Sequence, residues 1–229
     1  MNRFDFLKDR HIGQSCILIC NGPSLNKMDL SFLKHEMTIG LNKIYLGFKK
    51  FNFYPRYYVS INEKVIQQAQ ENIKNLNCVN FISQRSKQLI PESALTYHIN
   101  TNELNQPKAF YKDISQGVNE GYTVTYAALQ IAYFLGFKKV IIIGMDHHFT
   151  YSGKPNESKI LEGKDINHFC EDYFGYGQTW DNPDLAHSEV FYKIAKKVFE
   201  EEGREIIDAT YGGHCSIFKK MNYRDLFQL

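Results

Sequence analysis

The sequence predicts an α/β domain built on a mainly parallel sheet, and three observations carry that reading. Short runs are apolar throughout and stop at polar turns, as in strands buried on both faces. Segments with helical spacing lie between them, and strands that alternate with helices pair in parallel through crossovers. The chain has 229 residues, enough for one sizeable core and an insert, and it shows no internal repeat or low-complexity tract.

Residues 15–20 form the first apolar run, closed by Asn21-Gly22-Pro23-Ser24. Residues 37–41 and 57–61 form the next two, ending at Asn42 and Asn62. A helix follows over 63–76, because Val65, Ile66, Ala69, Ile73 and Leu76 repeat at helical spacing. Residues 79–82 and 96–99 read as short strands. The spacing of Ala127, Ala128, Ile131 and Leu135 predicts a helix over 123–135, with Thr123 or Thr125 as cap and Gly136 as stop. Residues 140–144 are a buried strand running to Asp146. A helix over 185–202, stopped by Gly203, and a strand over 205–208 complete the alternation.

One stretch, about 150–186, breaks the pattern. It holds four glycines, Pro155, Pro183, several aromatics and Trp180, the one tryptophan of the chain. Ordinary connections run about 4–6 residues. The length and the aromatic content predict an inserted lid that orders over a ligand.

Composition narrows the classes. Lys and Arg number 27 against 25 Asp and Glu, a net charge of +2, so there is no basic field to drive nucleic-acid binding. No run approaches the roughly 20 apolar residues that span a bilayer, and residues 1–10 lack the apolar core of a signal peptide. Five cysteines, an odd number with no C-x-x-C pair, predict buried thiols in place of a disulfide or zinc framework.

Ligands of open parallel sheets bind beyond the carboxyl ends of the strands. Asn21, Asn42, Asn62 and Asp146 all stand at such ends. Asn and Asp also serve simply as turn formers there. Three amides and one carboxylate make a poor divalent-metal cage, but they suit a base edge or a ribose. No G-x-G-x-x-G or G-x-x-x-x-G-K-[ST] loop is present. In their place Gly22 lets backbone approach a ligand, while Pro23 and Ser24 suit a helix start with anion-binding N–H groups. Thr123 and Thr125 supply similar donors at a second helix start. His187 lies in the first turn of the 185–202 helix, whose dipole keeps imidazole neutral and able to take a proton. His147 and His148 are adjacent, so one at most faces a given site. The lysine pairs 49–50, 138–139 and 196–197 read as solvated faces, and residues 217–227 as a docked terminal helix or a strip lying on an anionic membrane.

In this order, Cys20-Asn-Gly-Pro-Ser-Leu25, Asn42, Asn62, the 121–146 block with Leu135-Gly-Phe-Lys138 and Gly144-Met-Asp146, and Ala186-His-Ser188 resemble the bacterial sialyltransferases of glycosyltransferase family 42. The same blocks mark a wider MptE-like group, which includes flagellin-modification proteins and archaeal hydroxymethylpterin pyrophosphokinases. The sialyltransferase resemblance implies a single α/β/α nucleotide-binding, Rossmann-like domain with a lid. It implies a CMP-activated acidic sugar, sialic acid-like or Kdo, as donor. Asn21, Gly22, Pro23 and Ser24 would then hold the CMP phosphate and ribose. Asn42 would touch the phosphate, Asn62 the donor sugar, and Thr123 and Thr125 would lie by the sugar carboxylate. Gly144 and Asp146 would contact cytidine, and His187 would deprotonate the acceptor in an inverting, metal-independent transfer. The chain departs from the family twice. Val124-Thr125 stands where the family has Ser-Gly, and His148, with Tyr151 nearby, stands where the family has a tyrosine bonded to the leaving phosphate.

The expected function is therefore transfer of an acidic sugar from a CMP-sugar to a bacterial surface glycan, with no cofactor. Two alternatives stay open: a hydroxymethylpterin pyrophosphokinase using ATP and Mg²⁺, and a non-catalytic nucleotide-binding module of a larger assembly. The expected location is cytoplasmic, peripheral to the inner face of the membrane if the C-terminal strip lies on it. Further copies of the chain are the expected protein partner, and no nucleic acid is.

Overall fold

In the computed structural model, which describes residues 2–102 and 109–229, the first apolar run becomes strand β1 (Ser15–Ile19). Its side chains alternate between two cores. Cys16 and Leu18 pack into one, Ile17 and Ile19 into the other, which is why the run has no polar position. Two 3-10 turns, Pro23–Lys27 and Ser31–His35, lead to β2 (Thr38–Leu41). A third 3-10 turn and the one-turn helix α1 (Phe48–Phe51) lead to β3 (Tyr57–Ser60). These early crossovers are thus shorter than the α-helices that simple alternation implies. Helix α2 (Glu63–Lys74) starts at Asn62, whose side chain accepts from the Val65 N–H.

Strands β4 (Val79–Ser83) and β5 (Thr96–Ile99) follow, then a short parallel pair, β6 (Thr101–Asn102) with β7 (Val118–Asn119). Helix α3 (Val124–Phe134) is capped by Thr123 and stops before Gly136, which has φ +90°. It is buried almost all round, beyond the single apolar face its spacing predicts. Its polar Gln130 is satisfied inside, accepting from the N–H groups of Tyr111 and Asn119 and donating to the carbonyls of Asn119 and Tyr126. Strand β8 (Lys139–Ile143) returns to the centre of the sheet. The insert then forms a small antiparallel pair, β9 (Ser158–Ile160) with β10 (Thr179–Asp181). Helix α4 (Leu185–Glu201), β11 (Glu205–Asp208), β12 (Lys219–Lys220) and α5 (Tyr223–Phe227) end the chain.

The main sheet has the order β12-β11-β8-β1-β2-β3-β4-β5, and every neighbouring pair in it is parallel. α3 and α4 contribute to the core on one face. α2, α5 and the aromatic part of the insert cover the other. This is the mainly parallel α/β architecture that the alternation predicts, and it is Rossmann-like, as the resemblance implies. The order reverses between β1 and β8. Ile19 lies opposite Gly40 of β2 on one side and Ile143 of β8 on the other, so three chains leave the sheet at one level. That reversal opens a crevice, the usual ligand position of such sheets.

Four cysteines are buried, Cys170 is half-buried, and all five are free thiols. Burial pushes the Cys20 thiol up to about 12, so it stays protonated and inert. The apolar side chains of the C-terminal strip lie in the body of the protein. Ile217, Phe218 and Tyr223 are buried, and the Phe227 ring stacks on Phe32 at 4.0 Å. Among the described residues no helix is long and apolar enough to cross a membrane.

Candidate functional site

A cavity of about 590 Å³ occupies the crevice, within the size range of small-molecule sites. Its floor is the row of strand ends: Asn21 and Gly22 after β1, Asn42 after β2, Asn62 after β3, and Gly144 and Asp146 after β8. Thr123 and Thr125 of the α3 start form one side. The insert forms the roof, from Phe149 and His168 to Trp180 and Asp181.

The loop after β1 is tied tightly to the loop after β8. The Gly22 N–H donates to the Gly144 carbonyl at 2.8 Å. Ser24 donates twice to the Asp146 carboxylate, from N–H at 3.0 Å and from hydroxyl at 2.6 Å. This corrects the expected anion loop: the donors of residues 22 and 24 are spent on the protein, and Pro23 and Ser24 do not line the cavity. Asp146 lines it with both oxygens already accepting from Ser24. What the loop offers is Asn21. Its amide N–H₂ donates to the Leu41 carbonyl at 3.1 Å, and its Oδ1 is buried with no partner among the described residues. An orphaned acceptor in a cavity wall calls for a ligand donor, such as a hydroxyl or an amino group.

Each remaining residue singled out from the sequence has a definite place. The Asn42 side chain accepts from the Ser60 hydroxyl at 3.1 Å, and Asn62 is spent in part on capping α2. Thr123 caps α3 and accepts from Tyr192 at 3.5 Å, while the Thr125 hydroxyl meets the Cys20 sulfur at 3.6 Å. His187 is exposed and does not itself line the cavity; its ring stacks at 4.8 Å on Tyr122, which does. The Asp184 carboxylate takes its Nδ1 at 2.8 Å and its backbone N–H at 3.1 Å. Burial raises the Asp184 carboxyl, but the bonds from His187 and Asn156 outweigh it and hold the group below the usual carboxylate range. His148 and Tyr151 lie outside the cavity. His148 is exposed, with its ring 5.2 Å from that of His214, and Tyr151 is exposed on the insert. Of the adjacent histidines it is His147 that lines the cavity, bonded through Nε2 to Glu189 at 2.9 Å.

Sequence reasoning missed a second aspartate–histidine pair. Asp165 is buried and accepts from His168 Nδ1 at 2.8 Å and from the N–H groups of Asn167 and Phe174. Burial raises its carboxyl, and these bonds again outweigh burial and hold it low. The His168 ring lies flat on Tyr173, centroids 3.9 Å apart with 1° between planes. It also missed Lys43, which is 3% exposed and donates to Gln68, to Gln178 and to the Tyr173 carbonyl. Burial pushes its ammonium down to about 8, with Asp165 opposing. Lys43 stands behind the cavity wall and anchors the insert to β2.

Among the described residues five carboxylates line the cavity: Glu63, Glu120, Asp146, Asp181 and Asp184. Arg85 pairs with Glu63 and Glu120, Lys64 with Asp181, Ser24 with Asp146, and His187 with Asp184. Among the described residues no group of three or more His, Cys, Asp or Glu could hold a metal ion.

Comparison with known proteins adds two findings. Residues 2–152 match the profile of the family described as 6-hydroxymethylpterin diphosphokinase MptE-like. That stretch carries the floor of the cavity, from Asn21 to Asp146, and stops before His168 and His187. No curated protein matches the chain. Among solved structures, the MAf glycosyltransferase from Magnetospirillum magneticum AMB-1 superposes with a TM-score of 0.57 at 11% identity. The match covers 98% of this chain and 38% of that one, and at this identity it is a likeness of fold.

Proposed function

The chain belongs to the MptE-like family, and we propose that within it this protein is a glycosyltransferase, using a CMP-activated acidic sugar as donor and a bacterial surface glycan as acceptor. The observation that carries the proposal is the orphaned acceptor at Asn21 in a cavity whose lining aspartate, Asp184, orients His187 just outside it. The fold shared with a glycosyltransferase supports it.

In this reading the nucleoside lies along the strand ends. Asn21 Oδ1 accepts from a ribose hydroxyl or the cytosine amino group, and Asn42 and Asn62 reach the phosphate and the sugar. Thr123 and Thr125 lie by the sugar carboxylate, and the backbone at Gly144 and the Asp146 side chain bound the base. With Asp184 on Nδ1, His187 carries its proton there and keeps the Nε2 lone pair for the acceptor hydroxyl. The acceptor oxygen attacks the anomeric carbon and the phosphate leaves from the other side, so the configuration inverts. The insert keeps out water that would hydrolyse the donor.

A pterin diphosphokinase is the second reading, and the family's description favours it. It would use ATP with Mg²⁺, the ion carried in on the nucleotide's phosphates. A thermal-shift series with CMP, UDP, GDP and ATP, each with and without Mg²⁺, separates the two, because a ligand of the native state raises its stability. CMP is expected to stabilise without metal. Stabilisation by ATP–Mg²⁺ alone would overturn the proposal. His187→Ala is expected to keep CMP affinity and to lose roughly 10²–10⁴ in transfer rate. Nucleotide binding with no transfer or donor hydrolysis would leave the protein a binding module.

A further inference from the structure

Building on the nucleotide-donor reading, we infer that His168, oriented by Asp165, is the catalytic residue that meets the leaving phosphate. Its position comes from the backbone. The Phe169 N–H donates to the Asn21 carbonyl at 3.0 Å, and the Phe169 carbonyl accepts from the Asn26 side chain at 2.8 Å. These bonds hold residue 168 against the loop after β1. On its other side the ring lies on Tyr173, whose hydroxyl accepts from the Lys43 N–H next to Asn42. His168 thus sits between the strand ends that carry Asn21 and Asn42, the second of which would face the phosphate.

The ring cannot swing. Asp165 holds Nδ1, Tyr173 covers one face and the Phe174 ring stands against it at 75°. The imidazole lines the cavity, and its Nε2 bonds to no described residue. Charge supply singles it out as well. Among the described residues the lysine and arginine lining the cavity, Lys64 and Arg85, are both in ion pairs, and the three protons of Lys43 are all taken. With Asp165 on Nδ1, Nε2 is the ring nitrogen left to meet an anion.

In the transfer step, the acceptor oxygen bonds to the anomeric carbon. The bond from that carbon to the phosphate oxygen breaks, and its electron pair goes to the phosphate. The acceptor proton goes to His187. His168 donates a hydrogen bond to the departing oxygen without a net transfer of its proton, and Asp165 is a positioning residue.

The test compares CMP with cytidine, which differ by the phosphate alone. For His168→Gln, CMP binding is expected to weaken tenfold or more while cytidine binding is unchanged, and donor turnover is expected to fall by roughly 10–10³. Asp165→Asn is expected to move CMP affinity and turnover in the same direction by less, with cytidine again unchanged. Should His168→Gln unfold, His168→Phe keeps the stack on Tyr173 and removes the nitrogen. Wild-type CMP affinity in a folded His168 variant would overturn the inference, and so would an equal loss for CMP and cytidine, since that marks a structural role. Wild-type protein that binds neither ligand would instead remove the nucleotide reading, and this inference with it.

Discussion

Gly22 has room for hydrogen and nothing larger. A Cβ placed there would lie 1.9 Å from Asp146 Oδ2 and 2.7 Å from the Gly144 carbonyl. Gly22→Ala must push the carboxylate off Ser24 or part the two loops, and overpacking of this kind costs about 1–3 kcal/mol. For a chain of this size the melting temperature is expected to fall by roughly 2–12 °C, and stabilisation by CMP to shrink with it. An unchanged melting temperature would show that the loops part freely. Asp146→Asn is expected to lose about 1.5–3 kcal/mol in chemical unfolding, because both of its bonds are charge-assisted. The strand-end residues were legible because a parallel sheet aligns its carboxyl ends whatever the side chains are. What Asn-Gly-Pro-Ser does with its donors was not, since that depends on Asp146, 122 residues from Ser24. The Asp165–His168 pair hid in a glycine-rich stretch that reads as loop. A signal was there all the same: Asp165-Ile-Asn-His168 has the spacing of Asp184-Leu-Ala-His187, an aspartate reaching the ring three residues on.

The insert is two things at the scale of elements. Residues 165–174 are packed, with Phe169, Tyr173 and Phe174 buried beside α2 and Lys43. The β9–β10 pair and the turn before it are more exposed, with Ser158 and Ile160 open to solvent. Hydrogen exchange is expected to be fast over 151–164 and slow over 169–174, approaching the rate of β8. Uniform fast exchange across 150–186 would contradict this anchoring. Lys43 gives the anchor a dependence on pH. Burial lowers its ammonium in the folded state to about 8, while the unfolded chain keeps its proton to about 10.4. Between those values the unfolded state binds more protons, so folding gains as pH rises. Measured by urea unfolding, wild type is expected to gain about 1 kcal/mol on Lys43→Met between pH 8 and pH 9, with no change in the gap well below pH 8. A constant gap across pH 7–9 would refute the burial cost. Most elements were legible because apolar runs and helical spacing are local signals. The 3-10 turns after β1 and β2 were not, since no apolar period marks a turn that short. The burial of α3 all round was hidden as well, because its second covering layer includes residues far along the chain, such as Phe199 of α4.

At the scale of the molecule, both cores lean on one sheet, so neither face can unfold and leave the other standing. Trp180 sits in the roof of the cavity, its ring 6.1 Å from that of Phe174. Its fluorescence in a denaturant titration is expected to trace the same transition as far-UV circular dichroism. A tryptophan transition at lower denaturant would make the insert a separate unit. The sheet order has a consequence in time as well. β1 pairs with β2 through Ile17 and Thr38, close in sequence, but its other edge waits for β8, whose Lys139 pairs with Ser15. Contacts between distant parts of a chain form slowly, because a long loop must close before they are rewarded. The strands from β1 to β5 can associate as the chain is synthesised and still present an open edge where the crevice belongs. The cavity comes into being in the step that seats β8, so ligand binding during refolding would mark the docking of the second half of the sheet, not the collapse of the first.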